Sequence, residues 1–158
     1  TDEVIRVMSH VPPTTSTKVP VLHVLGYLGL VPFVLLALYA FFPMIPGWGA
    51  LQLFQRYSAI ILGFMAGVLW PVWSQRLSVW PLALFAVSLP VLSFLAGLLP
   101  TSATLLVELL LFVLLRVGER WFEIDDQYHP AYLQLRKQLT TVVVACHAAL
   151  ILKLTLLA

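Results

Sequence analysis

Long uncharged apolar runs constrain this chain more than any other feature. Crossing a hydrocarbon layer about 30 Å thick takes about 20 helical residues, and five apolar runs of that order take up nearly all of the 158 residues. Only 10% of the residues are charged, whereas soluble domains have about 25%. The sequence therefore predicts an all-α integral membrane protein, a five-transmembrane-helix bundle without a second domain.

The runs and the breakers between them define the predicted segments. Residues 1–18 form a polar N-terminal tail, and residues 19–158 form the five-helix membrane domain. Pro90 is expected to kink the third span, and His129-Pro130 fits a helix start. The spans are predicted at about 20–42, 51–73, 77–99, 101–118 and 139–157, with an interfacial loop and helix at 119–137.

Basic residues predict the orientation, because loops rich in Lys and Arg stay on the side from which the chain inserts. With five spans, Arg56 and Lys153 lie on the side opposite the N-terminus. On the N-terminal side lie the other seven, Arg6, Lys18, Arg76, Arg116, Arg120, Arg136 and Lys137. The N-terminus is therefore predicted to face the cytoplasm or a mitochondrial matrix. The first residue is Thr1 and not Met, which is expected either of a processed terminus, for example after removal of a targeting presequence, or of a truncated chain.

Several function classes are disfavoured by the sequence. The bases are scattered among membrane segments, so no nucleic-acid partner is predicted. The lone Cys146 provides neither a disulfide framework nor a cysteine metal cluster. The chain has no serine-nucleophile signature, phosphate-binding glycine loop or zinc-binding HExxH motif. We therefore expect no catalytic residues, no resident cofactor and no enzyme activity.

Glu108 lies about seven residues into the fourth span, where an ionisable group is costly unless it is paired. Lys153, Arg56 and His147 fall at comparable depths. A structural ion pair of Glu108 with Lys153 or Arg56 is favoured. Lys153 and His147 are six residues apart and point in different directions, so one cluster with both is not expected. A proton relay through Glu108 and His147 is the alternative.

Small residues mark the positions where helices are expected to approach closely in lipid. In the second span they recur every four residues, and similar notches occur in the first and third spans. They are Ala59, Gly63 and Gly67, then Gly26 and Gly29, then Ser93 and Gly97. We interpret them as internal packing seams, with a docking groove for a partner helix as the alternative.

One acidic stretch follows the fourth span. Glu123, Asp125, Asp126 and His129 supply oxygen and nitrogen donors that could hold a divalent metal. Their spacing matches no strong motif, and a solvated turn with helix-capping acids explains them equally well. No metal site is predicted.

Three segments resemble a small membrane protein family that includes the animal transmembrane protein 69. They are residues 25–33, LGYLGLVPF, 57–70, YSAIILGFMAGVLW, and 135–140, LRKQLT. The resemblance implies a bacterial or mitochondrial inner membrane and no assigned activity. Ala66, Leu69 and Pro71 stand where family members often have Gly, a polar or basic residue and Gly. A family function at that polar position would be lost here.

These observations lead to a functional expectation. The chain is expected to be a non-catalytic accessory subunit of a larger inner-membrane complex, respiratory or ATP-synthase, that contacts other membrane subunits and phospholipids. A small proton-linked carrier using Glu108 and His147 is the first alternative, and an enzyme acting on a lipid or quinone is the second. A water-filled cavity reaching Glu108 would favour transport, and a dry ion pair would favour structure.

Overall fold

The fold is all-helical in the residues that the structure, a computed structural model, describes. These are residues 18–42, 49–69, 80–124 and 130–156, with side chains described from residue 23 onward. The helices are α1 Lys18–Phe41, α2 Ala50–Gly67, α3 Trp80–Ala96, α4 Thr101–Trp121 and α5 Pro130–Leu156. Three stretches are long and apolar enough to cross a membrane: residues 23–41 of α1, all of α4 and all of α5. The prediction of a helical membrane protein is confirmed at this level.

Apart from shifts of a few residues, the helix bounds follow the predicted spans with two larger differences. The predicted interfacial helix and the fifth span form one helix, α5, of 27 residues, which at 1.5 Å per residue is about 40 Å long. It begins at Pro130, whose missing N–H costs nothing at the first helical position. The second helix ends at Gly67, earlier than predicted, and residues 70–79 lie outside the described ranges, as do residues 1–17.

The turn between α3 and α4 is fastened by one hydroxyl. The Thr104 side chain donates to the carbonyl oxygen of Ala96 at 2.7 Å and lies 3.1 Å from that of Leu99. The last carbonyls of a helix lack partners within the helix, so this contact ties the end of α3 to the first turn of α4. The hydroxyl that fastens this turn thus comes from the fourth residue of α4.

The end of α4 is a Schellman motif formed without glycine. Glu123 has a φ of 56°, in the left-handed region that side chains other than glycine enter at a cost. The Ile124 N–H donates to the Glu119 carbonyl at 2.9 Å, and the Glu123 N–H donates to that of Arg120 at 3.1 Å. Ile124 is fully buried, and its burial offsets the backbone strain.

The helices assemble around a shared core. α5 packs against α1 and α4, while α2 contacts α1, α3 and α4. The Phe33 ring lies edge-on to Phe54 and Phe112, with centroids 5.6 and 6.3 Å away. Large apolar side chains such as Phe64 and Phe94 remain exposed, an outer surface suited to lipid or a neighbouring helix. This arrangement positions the polar side chains of α2 to α5 inside the bundle.

Candidate functional site

Four helices bring one polar side chain each to the centre of the bundle. Ser58 comes from α2, Ser93 from α3, Glu108 from α4 and His147 from α5. All are buried, Glu108 with 1% and His147 with 0% of its surface exposed. We call these four residues the central polar cluster. A buried carboxyl and imidazole together require partners, and the two serines supply them.

Glu108 is held by hydroxyl groups. The Ser93 hydroxyl donates to its Oε1 atom, and the Ser58 hydroxyl lies 3.3 Å from its Oε2 atom. These are the side-chain hydrogen bonds of Glu108 among the described residues. The carboxyl is therefore satisfied by hydroxyl groups, and no described cation bonds to it.

His147 lies in an aromatic cage and bonds at both ring nitrogens. Its ring centroid is 4.8 Å from that of Phe54 and 5.7 Å from that of Phe112. Nδ1 is 2.7 Å from the Val143 carbonyl oxygen, one helical turn back on α5. Nε2 is 2.9 Å from Ser58 Oγ. The ring is fixed in orientation, and its only side-chain hydrogen-bond partner among the described residues is Ser58.

The donor and acceptor roles in the cluster define its chemistry. A carbonyl oxygen only accepts, so the Val143 contact places a proton on His147 Nδ1. In a neutral ring Nε2 then accepts from Ser58, whose oxygen can accept from a protonated Glu108. If Ser58 instead donates to a Glu108 carboxylate, Nε2 must be protonated and donate to Ser58. The two arrangements carry the same net charge, and one hydroxyl converts one into the other.

A second polar group lies nearer the other end of α4 and α5. Glu119 is 0% exposed and accepts from Arg116 through Oε2 and from Arg136 through Oε1. Arg136, only 2% exposed, is also 3.4 Å from the Met65 carbonyl oxygen and 3.2 Å from the Tyr132 hydroxyl, to which it donates. We call Arg116, Glu119, Tyr132 and Arg136 the arginine cluster. It joins α4 and α5 to the end of α2.

A layer of mostly apolar side chains, with the buried Thr140 as a polar member on α5, separates the two clusters. Phe112, Leu115 and Val143 are buried between them, on the faces of α4 and α5 that also carry the polar residues. Glu108 and Glu119 are eleven residues apart, which is three helical turns and about 16 Å along the axis. The clusters are therefore distinct layers of the bundle.

Comparison with models of protein families identifies the family of this chain. A model for a protein family of unknown function, DUF3429, matches residues 19–152. The chain belongs to the DUF3429 family. The match contains both polar clusters and every described helix except the ends of α1 and α5. Neither the curated proteins nor the solved structures gave a match.

Lys153 and Arg56 lie away from Glu108, contrary to the predicted ion pair. The Lys153 Nζ atom donates to the Ala40 carbonyl oxygen and lies 3.4 Å from that of Phe41. These are the last carbonyls of α1, which lack partners within the helix. Arg56 is exposed on α2. The predicted separation of Lys153 from His147 agrees with the structure, because they bind different groups.

The small residues have varied surroundings. A Cβ at Gly26 would lie 2.7 Å from Leu135 Cδ2, a close approach of α1 to α5. A Cβ at Gly63 would lie 3.9 Å from Pro90 Cβ, an ordinary contact. At Gly29 and Gly67 it would meet no described atom within 4 Å. The members of the predicted stripe therefore differ: Ala59 and Gly63 are half-buried within α2, whereas Gly67 ends the helix.

Two further predicted notches have other roles. Ser93 is a hydrogen-bond donor to Glu108. Gly97 lies in the turn after α3, where a Cβ would come 3.2 Å from the Phe94 carbonyl oxygen. The tightest glycine was not predicted: at Gly118 a Cβ would overlap the Phe85 ring, with Cε2 at 2.9 Å. Gly118 was missed because it stands alone among larger residues and is not part of a repeat of small residues.

The acidic stretch after α4 lies mostly outside the described residues. Glu123 is exposed in the Schellman turn, while Asp125, Asp126 and His129 fall in the undescribed range 125–129. Among the described ranges, no group of three metal-binding side chains occurs. The described residues therefore do not test this donor set.

Proposed function

We propose that this DUF3429 protein is a non-catalytic integral membrane subunit that acts by helix packing and lipid contact within a larger inner-membrane assembly. The observation that carries the proposal is how the buried polar groups are used. Glu108 bonds to Ser58 and Ser93, and Glu119 bonds to Arg116 and Arg136. Each buried carboxyl is satisfied by side chains of the bundle, as expected of groups that fix helix register.

The surroundings of the clusters support the same proposal. Phe33, Phe54 and Phe112 enclose His147, and a mostly apolar layer separates it from Arg136. Among the described residues, no hydrogen bond joins the two clusters, because the one buried hydroxyl between them on α5, that of Thr140, has no partner. The outer surface is apolar over long stretches, which suits contact with lipid and with other membrane subunits.

The test is native purification from the membrane in mild detergent, with identification of the proteins that co-purify. A stoichiometric larger complex, respiratory, ATP-synthase or other, is the expected result. Recovery of this chain alone, with its stability intact, would contradict the proposal. The resemblance to the family that includes the animal transmembrane protein 69 supports searching in bacterial and mitochondrial inner membranes.

We propose further that all five helices span the membrane and that the N-terminus faces the cytoplasm or matrix. Arg116, Arg120, Arg136 and Lys137 lie towards one end of the α4–α5 pair, whereas Lys153 lies at the other, which supports this orientation. The test uses single cysteines near Thr15 and Gly47 in a Cys146→Ala background. In sealed cells or mitoplasts an impermeant reagent should label only the Gly47 site, and labelling near Thr15 would reverse the assignment.

A second candidate, a small proton-linked carrier, is favoured by one specific contact. Ser58 lies within hydrogen-bond distance of both Glu108 and His147, so a proton can pass between them without a change of net charge. In reconstituted vesicles, a carrier should show proton flux that Glu108→Gln and Ser58→Ala abolish while the protein stays folded. Wild-type vesicles without flux above protein-free vesicles would exclude this candidate.

A further inference from the structure

A groove runs between α4 and α5 on the outside of the bundle. Its volume is about 830 Å³, and it is open along one side. Arg116 and Arg120 on α4 and Lys137 on α5 lie along it, with the hydroxyl-bearing Thr140 between the helices. The remaining lining is small and apolar, chiefly Val113, Val117 and Val144. The groove is thus cationic at one end and apolar at the other.

The charged side chains that line the groove are all basic among the described residues. Arg116 donates to the buried Glu119, which also accepts from Arg136. Arg120 and Lys137 are exposed, and neither bonds to an acid among the described residues. Glu123, in the turn that follows α4, does not line the groove. These two exposed cations, Arg120 and Lys137, favour an anion with several oxygen acceptors.

A buried hydroxyl gives independent support for a ligand. Thr140 is only 8% exposed and lines the groove, and its Oγ1 atom has no hydrogen-bond partner among the described residues. Leaving a buried hydroxyl unsatisfied is costly. The neighbouring Thr141 hydroxyl is occupied, because it donates to the Lys137 carbonyl at 2.8 Å. Because the Oγ1 atom is itself buried, a rotation of the Thr140 side chain must turn the hydroxyl towards the groove before a ligand oxygen can satisfy it.

The order of groups along the groove matches an amphipathic molecule. From Arg120 to Val113 is seven residues of α4, or about 10 Å, and over this distance the lining changes from guanidinium to aliphatic. A free phosphate would use only the first part. A phospholipid would place its phosphate by the cations and the start of an acyl chain over the valines.

We propose that the α4–α5 groove binds an anionic phospholipid, whose phosphate contacts Arg120, Lys137 and Thr140 and whose acyl chain follows Val117 and Val113. Basic pockets between membrane helices bind anionic headgroups by this chemistry. Residues of this chain line the groove, so the site needs no partner subunit. The proposal of a lipid site is therefore independent of the proposed role in a larger assembly.

Binding is tested on the purified full chain, delipidated in a neutral detergent and mixed with defined lipids. Native mass spectrometry measures the bound fraction with phosphatidylglycerol or cardiolipin, and with phosphatidylcholine as the zwitterionic comparison. The anionic lipids are expected to bind at least about tenfold more tightly, because two or three cations lie at the headgroup. Glycerol phosphate and inorganic phosphate form the separate arm for a soluble anion.

The informative variant is Arg120→Gln combined with Lys137→Gln, since both residues are exposed and outside the arginine cluster. It should weaken binding of the anionic lipids about tenfold or more and leave binding of phosphatidylcholine unchanged. Arg56→Gln is the matched control: it removes one exposed arginine from α2, outside the groove, and should leave lipid binding unchanged.

Thr140→Val separates a ligand role from a purely internal one. If Thr140 binds the phosphate, the variant loses affinity for the anionic lipid several-fold while the lipid-free protein stays folded. Unchanged lipid affinity in Thr140→Val, equal affinity for phosphatidylcholine, or wild-type binding by the double variant would each overturn the proposal. Competition by inorganic phosphate at concentrations equal to those of the lipid would also overturn it, because the site would then recognise a soluble anion.

Discussion

Glu119→Gln is the substitution whose effect on stability follows most directly from the structure. Glu119 is fully buried, and its two oxygens accept hydrogen bonds from two arginines of different helices. Gln has nearly the same shape, so the change removes charge without opening a cavity. Its amide nitrogen must also face one of the two guanidinium groups, donor against donor.

The magnitude can be worked from these contacts. Hydrogen bonds to charged groups contribute about 1.5–3 kcal/mol each, and Gln retains one acceptor for one arginine. Arg136 stays buried after losing the carboxylate at its Nη2 atom, and breaking a buried pair in this way costs about 3–5 kcal/mol. We expect the free energy of unfolding to fall by about 3 kcal/mol, which for a chain of this size lowers the melting temperature by about 6 to 12 °C.

The single cysteine provides the assay. Cys146 is half-buried in α5, so a thiol-reactive dye reports its exposure as the detergent-solubilised protein unfolds on heating. Glu123→Gln is the matched control, because it makes the same chemical change four residues away at an exposed carboxylate. Its melting temperature should stay within about 2 °C of the wild type, as surface substitutions typically change stability by less than about 0.5 kcal/mol.

A double variant tests the reasoning itself. Adding Arg136→Met to Glu119→Gln removes the buried cation, and apolar replacements of buried ion pairs are often neutral or stabilising. The double variant should therefore recover about half or more of the lost stability. The electrostatic explanation is wrong if Glu119→Gln has the melting temperature of the wild type. It is also wrong if adding Arg136→Met lowers the melting temperature of Glu119→Gln by as much as Arg136→Met alone lowers that of the wild type.

Three further predictions use the same melting assay. Gly118→Ala should destabilise by about 1–2 kcal/mol because its methyl group overlaps the Phe85 ring, whereas Gly67→Ala should be neutral within about 0.5 kcal/mol. Lys153→Met should cost about 1 kcal/mol and speed hydrogen exchange at the end of α1. Tyr57→Phe, which removes the 2.8 Å bond from Tyr57 to the Gly29 carbonyl, should cost about 1 kcal/mol.

The helices could be predicted from sequence because apolar run length and breakers are local signals. Pro100 and Thr101 set the start of α4, and Pro130 sets that of α5. The extension of α5 through Arg136 and Lys137 could not be read in this way, since charged residues look interfacial until a buried partner is known. Glu119 is that partner, and it lies 17 positions away in the sequence.

The partners of Glu108 were mispredicted for a related reason. Depth in the membrane places Lys153 and Arg56 within a few turns of Glu108, but a contact also depends on the direction in which each residue faces. Lys153 faces the end of α1 and Arg56 faces outward. Ser58 and Ser93 attract no notice in a search for ionisable groups, although serine is a common hydrogen-bonding residue between membrane helices.

A separation of eleven residues, which occurs on both α4 and α5, could have indicated that the two clusters exist. Glu108 and Glu119 are eleven residues apart on α4, and Arg136 and His147 are eleven apart on α5, a separation that returns to nearly the same helix face. In an antiparallel pair, opposing Glu119 to Arg136 therefore also opposes Glu108 to His147. A slip of α5 by one turn would break the Arg136–Glu119 ion pair and the His147–Ser58 hydrogen bond together, so that a buried carboxylate and a buried imidazole would each lose a partner. Two polar layers joined by one spacing thus fix the register of α4 and α5 far more strictly than either layer could alone, because the desolvation costs of the misaligned groups would add.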